Sequence, residues 1–123
     1  MNDFMLPHDH GEGKNLSEIR RELACADRFD AASEVFRRLG DPMRVRLFWL
    51  LCHSEQCVIN IAALLDMSSP AVSHHLRVLS DSRLIVSRRV GKEVYYRASD
   101  SEQAQLLHRM IERTMEISCP EEE

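Results

Sequence analysis

Apolar residues first settle into helical spacing at Leu16, Ile19, Leu23 and Ala26, and Phe29, Ala32, Val35, Phe36 and Leu39 continue the stripe. Ahead of it, residues 1–15 mix Pro, Gly, His and acids without a period and read as a mobile tail. "GDP" at 40–42 predicts a stop and a restart: Gly40 suits a C-terminal cap, Asp41 an N-cap and Pro42 the first helical position. The helix that follows, "PMRVRLFWLLCHS", is short and strongly apolar, with Val45, Leu47, Phe48, Leu50 and Leu51 expected in the core.

"VINIAALLDM" predicts another short helix. "SSPAVSHHLRVLSDSRL" restarts with Ser69 as N-cap and Pro70 at the first helical position. Its apolar residues Val72, Leu76 and Leu79 fall four and three apart, which leaves Ser73, His74, Arg77 and Ser80 on other faces. Two helices, a short polar turn and a polar outward face form a helix-turn-helix pattern. In "LIVSRRVGKEVYYRAS" the period changes, and β-branched and aromatic residues flank Gly91, which predicts a β-hairpin with Arg88, Arg89 and Lys92 at its tip. A last helix is expected from about Ser101 to Ile117, with Ala104, Leu107, Met110, Ile111, Thr114 and Met115 on one side. The organisation expected is a tail at 1–15, one folded domain at 16–118 and an acidic tail at 119–123.

Composition changes this picture in three places. The chain has 123 residues, 44% of them hydrophobic, enough for one compact domain, and no apolar run of membrane-spanning length. The N-terminal stretch lacks the basic and apolar regions of a secretion signal, so the expected location is cytoplasmic. Cysteines 25, 52, 57 and 119 are irregularly spaced, which suits free thiols or metal ligands better than a disulfide framework.

The net charge of −4 is unevenly spread. Residues 69–97 hold six basic side chains against two acids, a local +4, and residues 98–123 hold seven acids against two arginines, a local −5. A basic stretch on a helix-turn-helix and hairpin suits the phosphate charge of a duplex, while short polar groups reach base edges. Ser68, Ser69, Ser73, His74, His75 and Arg77, with Arg88, Arg89 and Lys92, are the candidate DNA-binding residues. There is no Gly-rich phosphate loop, nucleophile motif or complete catalytic metal triad, so an enzyme is not expected.

"LGDPMRVRLFWLL", "EQCVINIAALLDMSSPAVSHHLRVLSDSRLIVSRRVGKEVYYR" and the final helix resemble the ArsR/SmtB family of winged-helix metalloregulatory repressors, over roughly residues 30 to 117. The resemblance implies a mainly α fold with a small β-hairpin wing, a winged helix-turn-helix dimeric through its first and last helices. It also implies a homodimer that binds double-stranded operator DNA and leaves it when an effector binds.

The family's usual effectors are metals, here of the Zn, Cd or Pb kind, and two sites are common. Cys57 in "EQCVIN" matches the first cysteine of one, while Ile59 and Asn60 replace further donors. Cys25, His8 and His10 are the candidates to complete that set, since thiolate and neutral imidazole suit such cations. At the second site Asp100, Glu102 and Glu116 occupy family positions, but Arg113 stands where a His would be and a guanidinium cannot ligate. His108 and Glu112, four apart, read as a surface ion pair or a different site. For Cys57 two other readings stay open: a redox or persulfide-responsive thiol, whose acidity a helix N-terminus would favour, and a small core residue.

Overall fold

The computed structural model describes residues 6–8 and 15–119. His10 and most of the two expected tails lie outside the described residues. The chain forms two compact units, residues 1–35 and 36–123.

In the first unit the apolar stripe is interrupted. Helix α1 runs Leu16–Leu23, and α2, Ala26–Arg38, starts after a break at Ala24 and Cys25 and continues into the second unit. Neither helix contains a buried residue. At the break, the Ala24 amide donates to the carbonyls of Arg20 and Arg21, and the Cys25 amide to that of Glu22.

The second unit has the order α3 (Pro42–His53), β1 (Gln56–Cys57), α4 (Val58–Leu65), α5 (Ser69–Asp81), β2 (Ile85–Val90), β3 (Glu93–Ala98) and α6 (Glu102–Ser118). Asp41 caps α3 as expected: its carboxylate accepts from the Met43 and Arg44 amides at 2.8 and 3.1 Å. Those bonds favour the charged form and hold the Asp41 carboxyl below its ordinary range, the Arg44 amide contributing most. Leu47, Phe48 and Leu51 of α3 are buried with Ile61, Val72, Leu76, Leu79, Leu84, Ile85, Ala104 and Leu107. This core fixes α3, α4, α5 and α6 around the foot of the hairpin.

The sheet has three antiparallel strands in the order β1-β3-β2, and the sequence pattern had foreshadowed only two. Two residues are too few to show a period, so β1 is set by its partner: Gln56 pairs with Tyr96 and Cys57 with Tyr95. β2 and β3 pair from Ile85–Ala98 to Val90–Glu93. Gly91 has φ of +62° at the first position of the two-residue loop, the value a type II′ turn requires there. That register places Lys92 in the loop but Arg88 and Arg89 within β2, opposite Tyr95 and Val94. The expected tip therefore carries one of the three cations. No helix among the described residues is long and apolar enough to cross a membrane.

Candidate nucleic-acid interface

α4 ends on Asp66 in the left-handed region, φ 53°, and a three-residue turn leads into α5. The cap of α5 is Ser68 rather than the expected Ser69: its backbone is extended, and its hydroxyl accepts from the Ala71 amide at 3.2 Å. Pro70 thus stands at the second helical position. The turn chemistry was legible, but its register depended on where α4 released the chain.

Val72, His75, Leu76 and Leu79 form the buried side of α5. Ser69, Ser73, His74 and Arg77 are exposed on the other side. His75 therefore leaves the base-reading set: it is 9% exposed, and its Nδ1 accepts from Arg44 Nε at 3.2 Å. Burial first, and then the Arg44 charge, lower its pKa and keep the ring neutral, against an opposing pull from Asp41. The reason is geometric. Adjacent helical residues lie about 100° apart, so the "HH" pair must divide between two faces.

Arg44 also donates to the Arg38 carbonyl at 2.9 Å, while Arg38 donates to the Val78 carbonyl at 3.3 Å. These bonds lock α5 to the end of α2 and the start of α3. The Arg of "DPMR" is thus a positioning residue for the outward face of α5, a function its sequence position did not disclose.

In the hairpin, Arg88 donates to both carboxylate oxygens of Glu55, at 2.8 and 2.7 Å. Its guanidinium also lies 5.5 Å from the centre of the Tyr95 ring. Arg77, Arg89 and Lys92 are exposed with no carboxylate partner among the described residues. The outward face of α5 and the cationic hairpin beside it thus join short polar groups to uncommitted positive charge, which is what a duplex surface requires.

The geometry is that of a winged helix-turn-helix, and the comparisons agree with it. Residues 41–87 match the profile of bacterial regulatory proteins of the arsR family. The chain is 35% identical over 103 residues to the transcriptional repressor SmtB homolog of a Synechocystis species, covering 84% of this chain and 78% of the relative. The chain belongs to the arsR family.

This arsR-family chain is also 31% identical over 104 residues to the cadmium resistance transcriptional regulatory protein CadC homolog of Staphylococcus aureus, covering 84% and 85% of the two. Its fold matches the homodimeric winged helix-turn-helix DNA-binding domain of a possible ArsR-family regulator from Mycobacterium bovis. That match has a TM-score of 0.66 and 26% identity, over 76% of this chain and 86% of the other. The arsR-family protein is a DNA-binding transcriptional regulator and not an enzyme.

The expected metal ligands are placed as follows. Cys57 is 8% exposed at the N-cap of α4, and its side chain makes no capping hydrogen bond, so the thiol is uncommitted there. Cys25 is exposed in the first unit, with its Sγ 3.6 Å from the Arg21 carbonyl. His8 also belongs to that unit. In the second expected set, Glu116 is paired with Arg113 at 2.8 Å and Asp100 lies 3.7 Å from Arg97. Two of its three carboxylates thus lie beside guanidinium groups, which cannot ligate. Glu102 opens α6 as its first helical residue.

The tertiary structure assembles one cluster that the spacing of His108 and Glu112 only half disclosed. His53, at the end of α3, brings its Nε2 to 3.0 Å from His108 Nε2. Glu112 lies 3.3 Å from His108 and 3.8 Å from His53.

Proposed function

We propose that the protein is a homodimeric ArsR/SmtB-type repressor, acting in the cytoplasm, that leaves double-stranded operator DNA when a Zn-, Cd- or Pb-like ion binds. The observation that carries the DNA reading is the outward face of α5, with Ser73, His74 and Arg77, beside a hairpin carrying Arg89 and Lys92. Ser68, Ser69 and Arg88 complete the contact set. The names of the Synechocystis and Staphylococcus relatives support repression and a metal effector. The homodimeric Mycobacterium bovis domain supports dimerisation. So do Leu106, Met110, Met115 and Ile117, which α6 leaves 43–66% exposed.

Cys57 is the proposed sensing ligand, with Cys25, His8 and His10 as the further donors this chain offers. A thiolate and neutral imidazoles suit soft and borderline cations. Support for a route from Cys57 to DNA comes from β1. Cys57 pairs with Tyr95 of the wing, and Glu55, two residues before it, grips Arg88. A shift at Cys57 therefore reaches both wing strands. The thiol-switch alternative gains less support, because the name of the Staphylococcus relative points to a metal and, of the other thiols, Cys52 is pushed up to about 11 by burial, with a further push from Glu112.

The test follows fluorescence anisotropy of a labelled duplex from upstream of the gene while Zn²⁺, Cd²⁺ or Pb²⁺ is added. At least one ion should release the wild type, and Cys57→Ser should need about tenfold more of it or greater. Equal release of the variant by every ion removes Cys57 as sensor. No release of the wild type by any of them overturns the metal-responsive reading.

A further inference from the structure

We infer that His53, His108 and Glu112 form a binding site for a borderline divalent transition-metal ion, of the Zn²⁺ or Co²⁺ class, within one chain. The three side chains meet because α3 ends where α6 passes. His108 and Glu112 are one helical turn apart and share a face of α6. His53 closes α3 against that face. Leu47, Phe48 and Leu51 anchor α3 in the core, and Ala104 and Leu107 anchor α6, so the donors stand on fixed elements.

The spacing fits an ion. Zn–N bonds of about 2.0–2.1 Å at tetrahedral angles set the donor atoms roughly 3.3 Å apart. Here His108 Nε2 lies 3.0 Å from His53 Nε2 and 3.3 Å from Glu112 Oε1. His53 Nε2 lies 3.8 Å from the other carboxylate oxygen, Oε2, and one ligand atom from each residue falls within 4.8 Å of the others. Without an ion, the Nε2–Nε2 contact needs one ring to donate and the other to accept. An ion takes a lone pair from both.

The surroundings also fit. Trp49 Nε1 donates to Glu112 Oε2 at 3.2 Å, which leaves Oε1 facing His108. A bond from outside the donor set to the far side of a ligating carboxylate is how such ligands are held in place. The Trp49 and His53 rings lie 4.2 Å apart, so the indole also limits the imidazole. The side chains of His53, His108 and Glu112 are 42%, 26% and 42% exposed, so an ion can enter and keep a water. Next to them opens a cavity of about 350 Å³ lined by Cys52, Ser54, Arg97, Gln105 and His108 among others.

Two imidazoles and one carboxylate form a three-donor set with an open fourth position, which suits zinc, cobalt or nickel better than the thiolate-seeking Cd²⁺ or Pb²⁺. The site rests on geometry alone and is separate from the proposed role of Cys57. A bound ion would clamp the end of α3 to α6.

The test is Co²⁺ titration of the full-length chain carrying Cys25→Ser and Cys57→Ser, followed by visible absorption. One equivalent should bind with the d–d bands of nitrogen and oxygen ligation, without thiolate charge transfer, and Zn²⁺ should displace it. Adding His53→Gln, His108→Gln or Glu112→Gln should weaken that equivalent about tenfold or more, with circular dichroism confirming the apo fold. Trp49→Phe, which keeps all three donors, should weaken it less than any of these. Unchanged Co²⁺ affinity in the three ligand variants, or no nitrogen and oxygen d–d spectrum in the parent, overturns the site.

Discussion

Arg88 grips Glu55 through two parallel hydrogen bonds, Nε to Oε2 at 2.8 Å and Nη2 to Oε1 at 2.7 Å. The pair joins the wing to the segment just before β1, and the Arg88 bond holds the Glu55 carboxyl below its ordinary range. One of the wing cations is therefore already matched when the protein meets DNA. Glu55→Gln should free it. The expected result is tighter duplex binding and a slope of log K against log salt steeper by up to about 0.9, the value of one phosphate contact. Anisotropy at several salt concentrations checks this, and an unchanged slope would mean that Arg88 stays off the phosphates.

Arg77, Arg89 and Lys92 have no such partner among the described residues. Changing each to Ala should flatten the salt slope by about 0.9, whereas Arg88→Ala should flatten it less. Equal effects at all four positions would show that Glu55 lets go of Arg88 at no cost on binding.

His75 makes stability depend on pH because burial first, and then the Arg44 charge, disfavour its protonated form. Its folded pKa lies below the ordinary 6.5, so near that value the unfolded chain binds more protons than the folded one. The stabilisation is complete above about 6.5 and is lost as pH falls from there through the folded pKa. Urea unfolding across this window should show stability falling on acidification in the wild type and a flatter profile in His75→Gln. Parallel profiles would contradict the neutral, Arg44-bonded ring.

Asp41 satisfies two amides at the start of α3. Asp41→Ala should destabilise the fold by about 1 kcal/mol in urea unfolding, with Asp41→Ser recovering most of that. Loss well under this amount would mean that Pro42 alone suffices to start the helix.

Cysteine reactivity should separate by environment. Cys25 and Cys119 are exposed, Cys57 is buried, and the Cys52 thiol is pushed up to about 11. Peptide mapping after brief alkylation at neutral pH should find Cys25 and Cys119 modified first and Cys52 protected. Early modification of Cys52 would count against its desolvated setting.

Much of this was readable along the chain because local rules sufficed. Asp41 and Pro42 are a local N-cap and first-turn signal that starts α3, Gly91 supplies a positive φ, and the spacing of Val72, Leu76 and Leu79 assigns the buried side of α5. The family motifs rest on those same local signals. Harder to read were β1, the cap at Ser68 and the fate of His75. Each depends on a neighbour distant in sequence or on a register shifted by one residue, and one residue on a helix turns a side chain by about 100°.

The sequence by itself determined the order of elements, the helix-turn-helix and the basic hairpin, because capping, period and charge act over a few residues. Only the tertiary structure decided that Glu55 would neutralise Arg88, that Arg44 would claim His75, and that His53 would meet His108 and Glu112. These partners lie 33, 31, 55 and 59 positions apart. Their donor and acceptor atoms come within hydrogen-bonding or ligand distance only after a shared core has fixed the helices and strands that carry them.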